Sequence, residues 1–280
     1  MHRFKFIHNY LLFIIYYRRV LKLLKNKNIE QIKIFNFKNW HHGYAYLLGF
    51  KDNKKVFIKI DTKLLLLQND LLVYNIANEE LKKYLVKIID SIILSDIQII
   101  IYEFLNGHEL SKSIIEQNPK IIITLINSLE AIDNLEIIHR DIKLDNFFIT
   151  KDNIKLIDFT FANSLNKKLG FKELNILDSS NCSILEVLGN GLNPNPFEWN
   201  DFYTLKKIIN SLESKQNLKL LKYLEILNKK HSTTYNIRCN NKYLKQRNLI
   251  IKVKNFLGIS HKYRDLQNIK KDNNEINKSK

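Results

Sequence analysis

The spacing of apolar residues changes period along the chain, and each change marks an element. Tyr10, Ile14, Tyr17, Leu21 and Leu24 stand at i, i+4, i+7, i+11 and i+14, which predicts one helix over residues 3–26. Arg18, Arg19, Lys22 and Lys25 lie off that face. A face of this kind packs on a domain or lies on a membrane surface, and packing is its commoner use. Residues 30–60 then shift to the shorter period of antiparallel strands. Ile32, Ile34 and Phe37 belong to the first strand, and Trp40-His41-His42-Gly43 make a turn. Residues 44–50 form the second strand and 56–60 the third, after a turn at 51–55. A helix-like run extends from Asp70 to Ala77. Residues 84–89 and 97–104 read as another strand pair, and 108–113 as the start of a helix. Residues 120–136 return to helical spacing, with Ile122, Leu125, Ile126, Leu129 and Ile132 inward.

Three short apolar runs follow: 137–138, 147–149 and 155–157, each read as a buried strand. Residues 161–198 have the weakest pattern, with Gly189 and Gly191 marking a turn. Leu205, Ile208, Ile209 and Leu212 give one buried helical face. Two more helices are expected at 216–228 and 243–257, the second basic. From Gln267 the chain is polar and is expected to fray. At 280 residues, 45% hydrophobic and 11% aromatic, it can bury the core of a two-lobed globular domain. Cys182 and Cys239 give no disulfide framework and no zinc-ligand cluster, which fits a reducing, cytoplasmic setting.

The net charge of +17 admits two readings. One is an anionic partner, such as the inner face of a membrane or a phosphorylated substrate. The other is a Lys-, Asn- and Ile-rich composition of the kind AT-rich genomes encode. The basic residues are spread rather than striped, so no specific nucleic-acid interface is predicted. No apolar run approaches the roughly 20 residues that span a bilayer. The longest early run, 10–17, ends at Arg18-Arg19 with no small-residue cleavage site behind it.

The chemistry concentrates in Ile137-Ile138-His139-Arg140-Asp141-Ile142-Lys143-Leu144-Asp145-Asn146, followed by Ile157-Asp158-Phe159-Thr160. Asp141 and Asn146 are five apart on one loop, and Asp158 follows a β-hairpin. Phosphoryl transfer needs a carboxylate at the attacking hydroxyl and oxygen ligands for a metal, with little covalent help. Mg2+ takes carboxylate and amide oxygens together with phosphate and water.

This stretch resembles the catalytic loop and metal-binding motif of the eukaryotic-type protein kinase superfamily, H-R-D-x-K-x-x-N followed by D-F-x. The resemblance covers roughly residues 30–215. It implies an α+β, two-lobed protein kinase-like fold with a small β-rich N-lobe and a mainly helical C-lobe. The expected divisions are 1–28 for a basic amphipathic helix, 29–104 for the N-lobe, 105–266 for the C-lobe and 267–280 for a polar tail. It also implies Asp141 as catalytic base, Lys143 on the transferred phosphate, and Asn146 and Asp158 as Mg2+ ligands. Lys59, in Val56-Phe57-Ile58-Lys59-Ile60, would contact the ATP phosphates and pair with a helix carboxylate. Asp70 is the expected partner, with Glu79 and Glu80 as alternatives. Asn69 or Asp70 could instead cap the helix. Gly43 stands where a phosphate-covering glycine loop is expected, although it alone fits. Glu103 and Leu105 stand at the expected adenine-binding hinge.

Two features depart from the family pattern. Thr160 replaces the Gly of D-F-G, removing an easy positive-φ position, and A-P-E is absent near Asn193-Pro194-Asn195-Pro196-Phe197-Glu198. Arg140 would either receive a phosphorylated residue or brace the loop, and bracing is preferred. Trp199-Asn200-Asp201-Phe202-Tyr203-Thr204-Leu205 resembles the W-x-D-x-Y-S-L that opens a buried C-lobe helix, with Asp201 structural. The expected activity is ATP- and Mg2+-dependent transfer to a hydroxyl, most naturally Ser or Thr of a protein. A cell-surface sugar of the lipopolysaccharide-core type and a pseudokinase scaffold are the alternatives.

Overall fold

Alternating branched residues build the largest sheet in the computed structural model, which describes residues 14, 16–36, 40, 43–174, 179–195, 197–212, 218–229, 234–236 and 249. Five antiparallel strands run β1 (Glu30–Asn36), β2 (Tyr44–Lys51), β3 (Lys54–Asp61), β4 (Ile88–Ile93) and β5 (Gln98–Glu103), in the spatial order β1-β2-β3-β5-β4. Asp52 and Asn53 join β2 to β3 with φ of 50° and 60°, the left-handed pair that a two-residue hairpin takes. One face of the sheet presents Ala45, Leu47, Val56, Ile58, Ile60, Ile92, Ile99 and Ile101. Val20 and Leu24 of α1, a helix over residues 16–25, pack on that face with Ile29. The described part of the N-terminal helix is therefore a core helix. Its basic residues face out, and Arg19 pairs with Asp96.

Two short helices follow β3: α2 (Gln68–Ile76) and α3 (Glu79–Lys82). Beyond β5, β6 (Gly107–Glu109) joins β8 (Phe147–Thr150) and β9 (Ile154–Leu156) in a three-stranded sheet. Gly107 is required there, because a Cβ would meet the carbonyl oxygen of Ile149 at 1.9 Å. The remaining helices are α4 (Lys112–Gln117), α5 (Ile121–Asp133), α6 (Ser179–Val187), α7 (Asp201–Asn210) and α8 (Leu218–Lys229). Two-residue ladders join β7 (Ile137–Ile138) to β10 (Asn163–Ser164) and β11 (Glu198–Trp199) to β12 (Tyr235–Asn236).

The chain divides into two compact units. The first comprises residues 1–109, 148–161 and 170–172, and the second comprises 110–147, 162–169 and 173–280. The α+β character holds: strands dominate the first unit and helices the second.

Ile34 lies on β1 as expected and is 42% exposed on a strand with two register irregularities and Gln31 at φ 48°. Several expectations need correction. Ile14 is exposed at 37%, so the apolar face of α1 centres on Val20 and Leu24. The strand expected at 84–89 begins at Ile88, because Tyr84 instead gives its carbonyl to the Leu156 N–H of β9. The helix expected from His108 begins at Lys112, after β6. His41, His42, Phe37, and residues 243–257 apart from Leu249, lie outside the described residues.

Candidate active site

The site residues fall in two groups, one in each unit. In the first unit, Lys59 lies on β3 between β2 and β5 and is buried, so it is not an edge-strand lysine. A buried ammonium needs an opposite charge. Its Nζ donates to Asp158 Oδ1 at 2.6 Å and to Thr160 Oγ1 at 2.6 Å, and Asp70 Oδ2 lies 3.9 Å away. Burial alone would lower the Lys59 pKa, but the charges of Asp158 and Asp70 outweigh it and the net shift is upward. Lys59 therefore stays cationic across the physiological range. Burial raises the Asp70 pKa against the pull of Lys59.

Asp70 and its neighbour Asn69 sit in the first turn of α2 and do not cap it. The orphan N–H groups before that helix are served by Asp61, which accepts from Lys63, Leu64 and Leu66. Asp70 Oδ1 instead accepts the Phe159 N–H at 2.9 Å. Asn69 donates to the Thr160 carbonyl at 3.0 Å and accepts from the Lys172 N–H at 2.8 Å. Tyr102 also hydrogen-bonds Asp70; burial first, then that carboxylate and Asp158, push its hydroxyl pKa well up. Glu79 pairs with Lys82 on an exposed helix face. The segment after β9 turns sharply at Asp158, whose φ is 67°. Thr160 follows in a 3-10 turn over Phe159–Phe161 and is not left-handed, so the missing glycine costs no strain in this conformation.

Gly43 and Glu103 have local roles in the same unit. Gly43 has φ 90° and gives its N–H to the Trp40 carbonyl, so that donor is not aimed at a phosphate. Glu103 gives its N–H to the Lys87 carbonyl and accepts the Lys87 N–H, while Leu105 follows the end of β5.

In the second unit, α5 delivers the chain to β7 and then to the loop at His139–Asn146. Asp141 is buried and held by three donors. Lys143 Nζ reaches Oδ2 at 2.7 Å, Asn146 Nδ2 reaches it at 3.2 Å, and the Gly189 N–H reaches Oδ1 at 2.7 Å. Asn146 Nδ2 also donates to the Asp141 carbonyl at 2.8 Å. Its two amide hydrogens are thus turned to Asp141, which leaves the oxygen as its ligand atom.

The loop is braced from below. Asp201 accepts the His139 N–H at 2.7 Å and the Arg140 N–H at 3.1 Å. Burial raises its pKa to about 7, against the pull of those two donors. The cap of α7 is Asn200, which accepts the Tyr203 N–H at 2.8 Å. Arg140 is buried between aromatic rings, 5.1 Å from the Trp199 centroid and 5.4 Å from that of Tyr235. Burial lowers its pKa to about 10, partly offset by Glu173 and Asp201.

Sequence reasoning named Lys59, Asp70, Asp141, Lys143, Asn146 and Asp158. It missed Gly189, Asn69 and Tyr102, which act through backbone groups or from non-adjacent elements. Thr160 was visible only as a departure. The first unit thus holds a buried Lys paired to two carboxylates, and the second holds an Asp fixed by three donors beside Lys143 and Asn146. Residues 68–178, about two fifths of the chain, match the protein kinase domain model. The chain is 38% identical over 69 residues to the probable serine/threonine-protein kinase fnkB of Dictyostelium discoideum, a match covering 21% of this chain and 13% of that protein. Among solved structures it resembles the BubR1 kinase domain, with a TM-score of 0.48, 16% identity and 79% of each chain covered.

Proposed function

We propose that the chain is an ATP- and Mg2+-dependent kinase that transfers the γ-phosphoryl group to a hydroxyl, of Ser or Thr in a protein. The observation that carries this reading is Asp141, buried yet held by Lys143, Asn146 and Gly189. A carboxylate fixed in this way can orient an acceptor hydroxyl and accept its proton as the oxygen attacks phosphorus and the phosphoryl bond to the leaving diphosphate breaks. Lys143, two residues on, and the match to a protein described as a probable serine/threonine kinase support a protein acceptor.

Each unit carries an oxygen donor of a kind Mg2+ takes. Asp158 offers a carboxylate that is 31% exposed, and Asn146 an amide oxygen. Among the described residues no cluster of three His, Cys, Asp or Glu forms a dedicated metal cage. Mg2+ keeps water and takes phosphate oxygens as ligands. The ion, when bound, would neutralise charge on the phosphates, and Lys59 and Lys143 would add to that. A cytoplasmic location belongs to the same proposal.

The test follows labelled phosphate from ATP into generic protein substrates and core oligosaccharide, for the wild type and Asp141→Asn. Transfer to protein, reduced by about two or more orders of magnitude in the variant, is expected. Transfer to sugar alone would move the acceptor to the alternative class. Equal turnover in both proteins would refute the enzymatic reading.

A further inference from the structure

We infer that Thr160 is a positioning residue whose hydroxyl, together with the short side chain of Asp70, forms a relay that holds Lys59. This rests on the kinase reading and deepens it. A carboxylate pairs with an ammonium most strongly in direct contact. Asp70 Oδ2 is 3.9 Å from Lys59 Nζ, too far for a hydrogen bond. The Thr160 hydroxyl closes the interval: it accepts from Lys59 Nζ at 2.6 Å and donates to Asp70 Oδ2 at 2.9 Å. A hydroxyl has one hydrogen to give and lone pairs to receive, so one side chain can serve both partners at once.

The hydroxyl is held in place from several sides. Thr160 is 1% exposed. Asn69 holds its carbonyl, and Asp70 holds the N–H of the residue before it. Thr160 also avoids the left-handed region, so its side chain carries no backbone penalty here. The short Asp70 in the first turn of α2 and the Thr after Asp158-Phe159 thus meet at one point. Each alone would leave a gap or a crowd. An Asp with no hydroxyl beside it stops short of the lysine, and a longer carboxylate beside Thr160 collides with it.

The consequence is a specific coupling, and the full-length chain tests it. Thr160→Ala removes the relay. Thr160→Ser keeps the hydroxyl, Asp70→Glu adds the methylene, and Asp70→Glu with Thr160→Ala replaces the relay with a longer carboxylate. Two readouts are taken. The first is the kcat and KM for ATP. The second is the rate at which an amine-acylating reagent labels Lys59, read by mass spectrometry, which needs no turnover.

Thr160→Ala is expected to reduce kcat/KM by about tenfold or more, since small misplacements of a phosphate-binding group are amplified in rate. It should also label faster at Lys59. Ser should stay within about threefold of wild type, because the hydroxyl bonds survive. The double variant should lose less activity than the product of the two single losses, the signature of residues that act through one contact. Wild-type labelling and kinetics in Thr160→Ala would overturn the inference. So would Ser behaving like Ala, or strictly additive single effects. A wild type with no ATP turnover defeats the kinase reading instead, and the labelling series still decides the relay.

Discussion

Asp201 carries the sharpest prediction because two of its properties oppose one another. Its carboxylate accepts two backbone N–H groups of the catalytic loop, which favours the charged form. Its burial disfavours charge and wins, lifting the pKa from 3.8 to about 7, with Asp133 adding to the rise. For an acid, a folded-state pKa above the unfolded value means that the folded chain holds the extra proton between the two values. Stability from this group is then greatest below about pH 4, declines as pH rises towards 7 and levels off above it. The change corresponds to roughly three pKa units, on the order of 4 kcal/mol.

Asp201→Asn isolates the effect. The amide has nearly the same shape but does not titrate, and it can accept through only one oxygen. Denaturant unfolding of both proteins from pH 5 to pH 8 gives two stability curves. Other titrating groups, such as Asp70, contribute to both and cancel in the difference. The variant should gain on the wild type between pH 5 and about pH 7, over roughly two of those units, on the order of 3 kcal/mol. Its ATP turnover should nonetheless fall by about tenfold or more at every pH, because one loop N–H loses its acceptor and the loop loosens. A stability difference that stays flat from pH 5 to pH 8 would show that the two N–H donors keep the carboxylate ionised throughout, and the burial argument would fail.

Three further perturbations probe other parts of the fold. Leu24→Ala should destabilise the protein by about 2–5 kcal/mol in a thermal or denaturant melt, because Leu24 is fully buried in the sheet core; an unchanged melt would mean that α1 is dispensable. Gly43→Ala should cost at least about 1 kcal/mol, since φ is 90° and the new Cβ would lie 2.4 Å from the Lys63 Cβ; a neutral result would mean that the turn can relax. Tyr235→Phe should destabilise by about 1–2 kcal/mol, because its hydroxyl is shared by Glu173, Asn163 and Lys167. Tyr235→Ala should also reduce turnover, because it removes a ring from Arg140, and equal turnover in the two Tyr235 variants would separate that ring from the loop's activity.

The sequence was most legible where period and spacing act locally. All five residues expected to face inward on α5 are buried, because a thirteen-residue helix repeats its face often enough to be read. Asp141, Lys143, Asn146 and Asp158 were named through the resemblance of their stretch to a kinase catalytic loop and metal motif, and the first three do lie together on the loop after β7. Pattern failed where tertiary pairing overrides it. The three residues of β6 are all exposed, so no alternation marks them; only their ladder with β8 makes them a strand. The roles of Thr160 and Gly189 depend on partners about 90 and 48 residues away, a separation at which no local rule applies.

The loop's brace explains why a tryptophan and an aspartate stand two apart in Trp199-Asn200-Asp201. Asp201 takes the N–H groups of His139 and Arg140, fixing the backbone immediately before Asp141. Trp199 stacks on the guanidinium of Arg140, fixing the side chain of the same residue. Asn200 caps α7 between them, so the helix start sets the orientation of both neighbours. The short β11–β12 ladder pairs Trp199 with Tyr235, which brings the second ring to Arg140. Glu173, held by Tyr235 and Lys167, is the leading opposing charge on the arginine. Arg140, itself at φ 68°, is therefore held by the chain's own rings and carboxylates. Of its two sequence readings, bracing is the one this geometry supports.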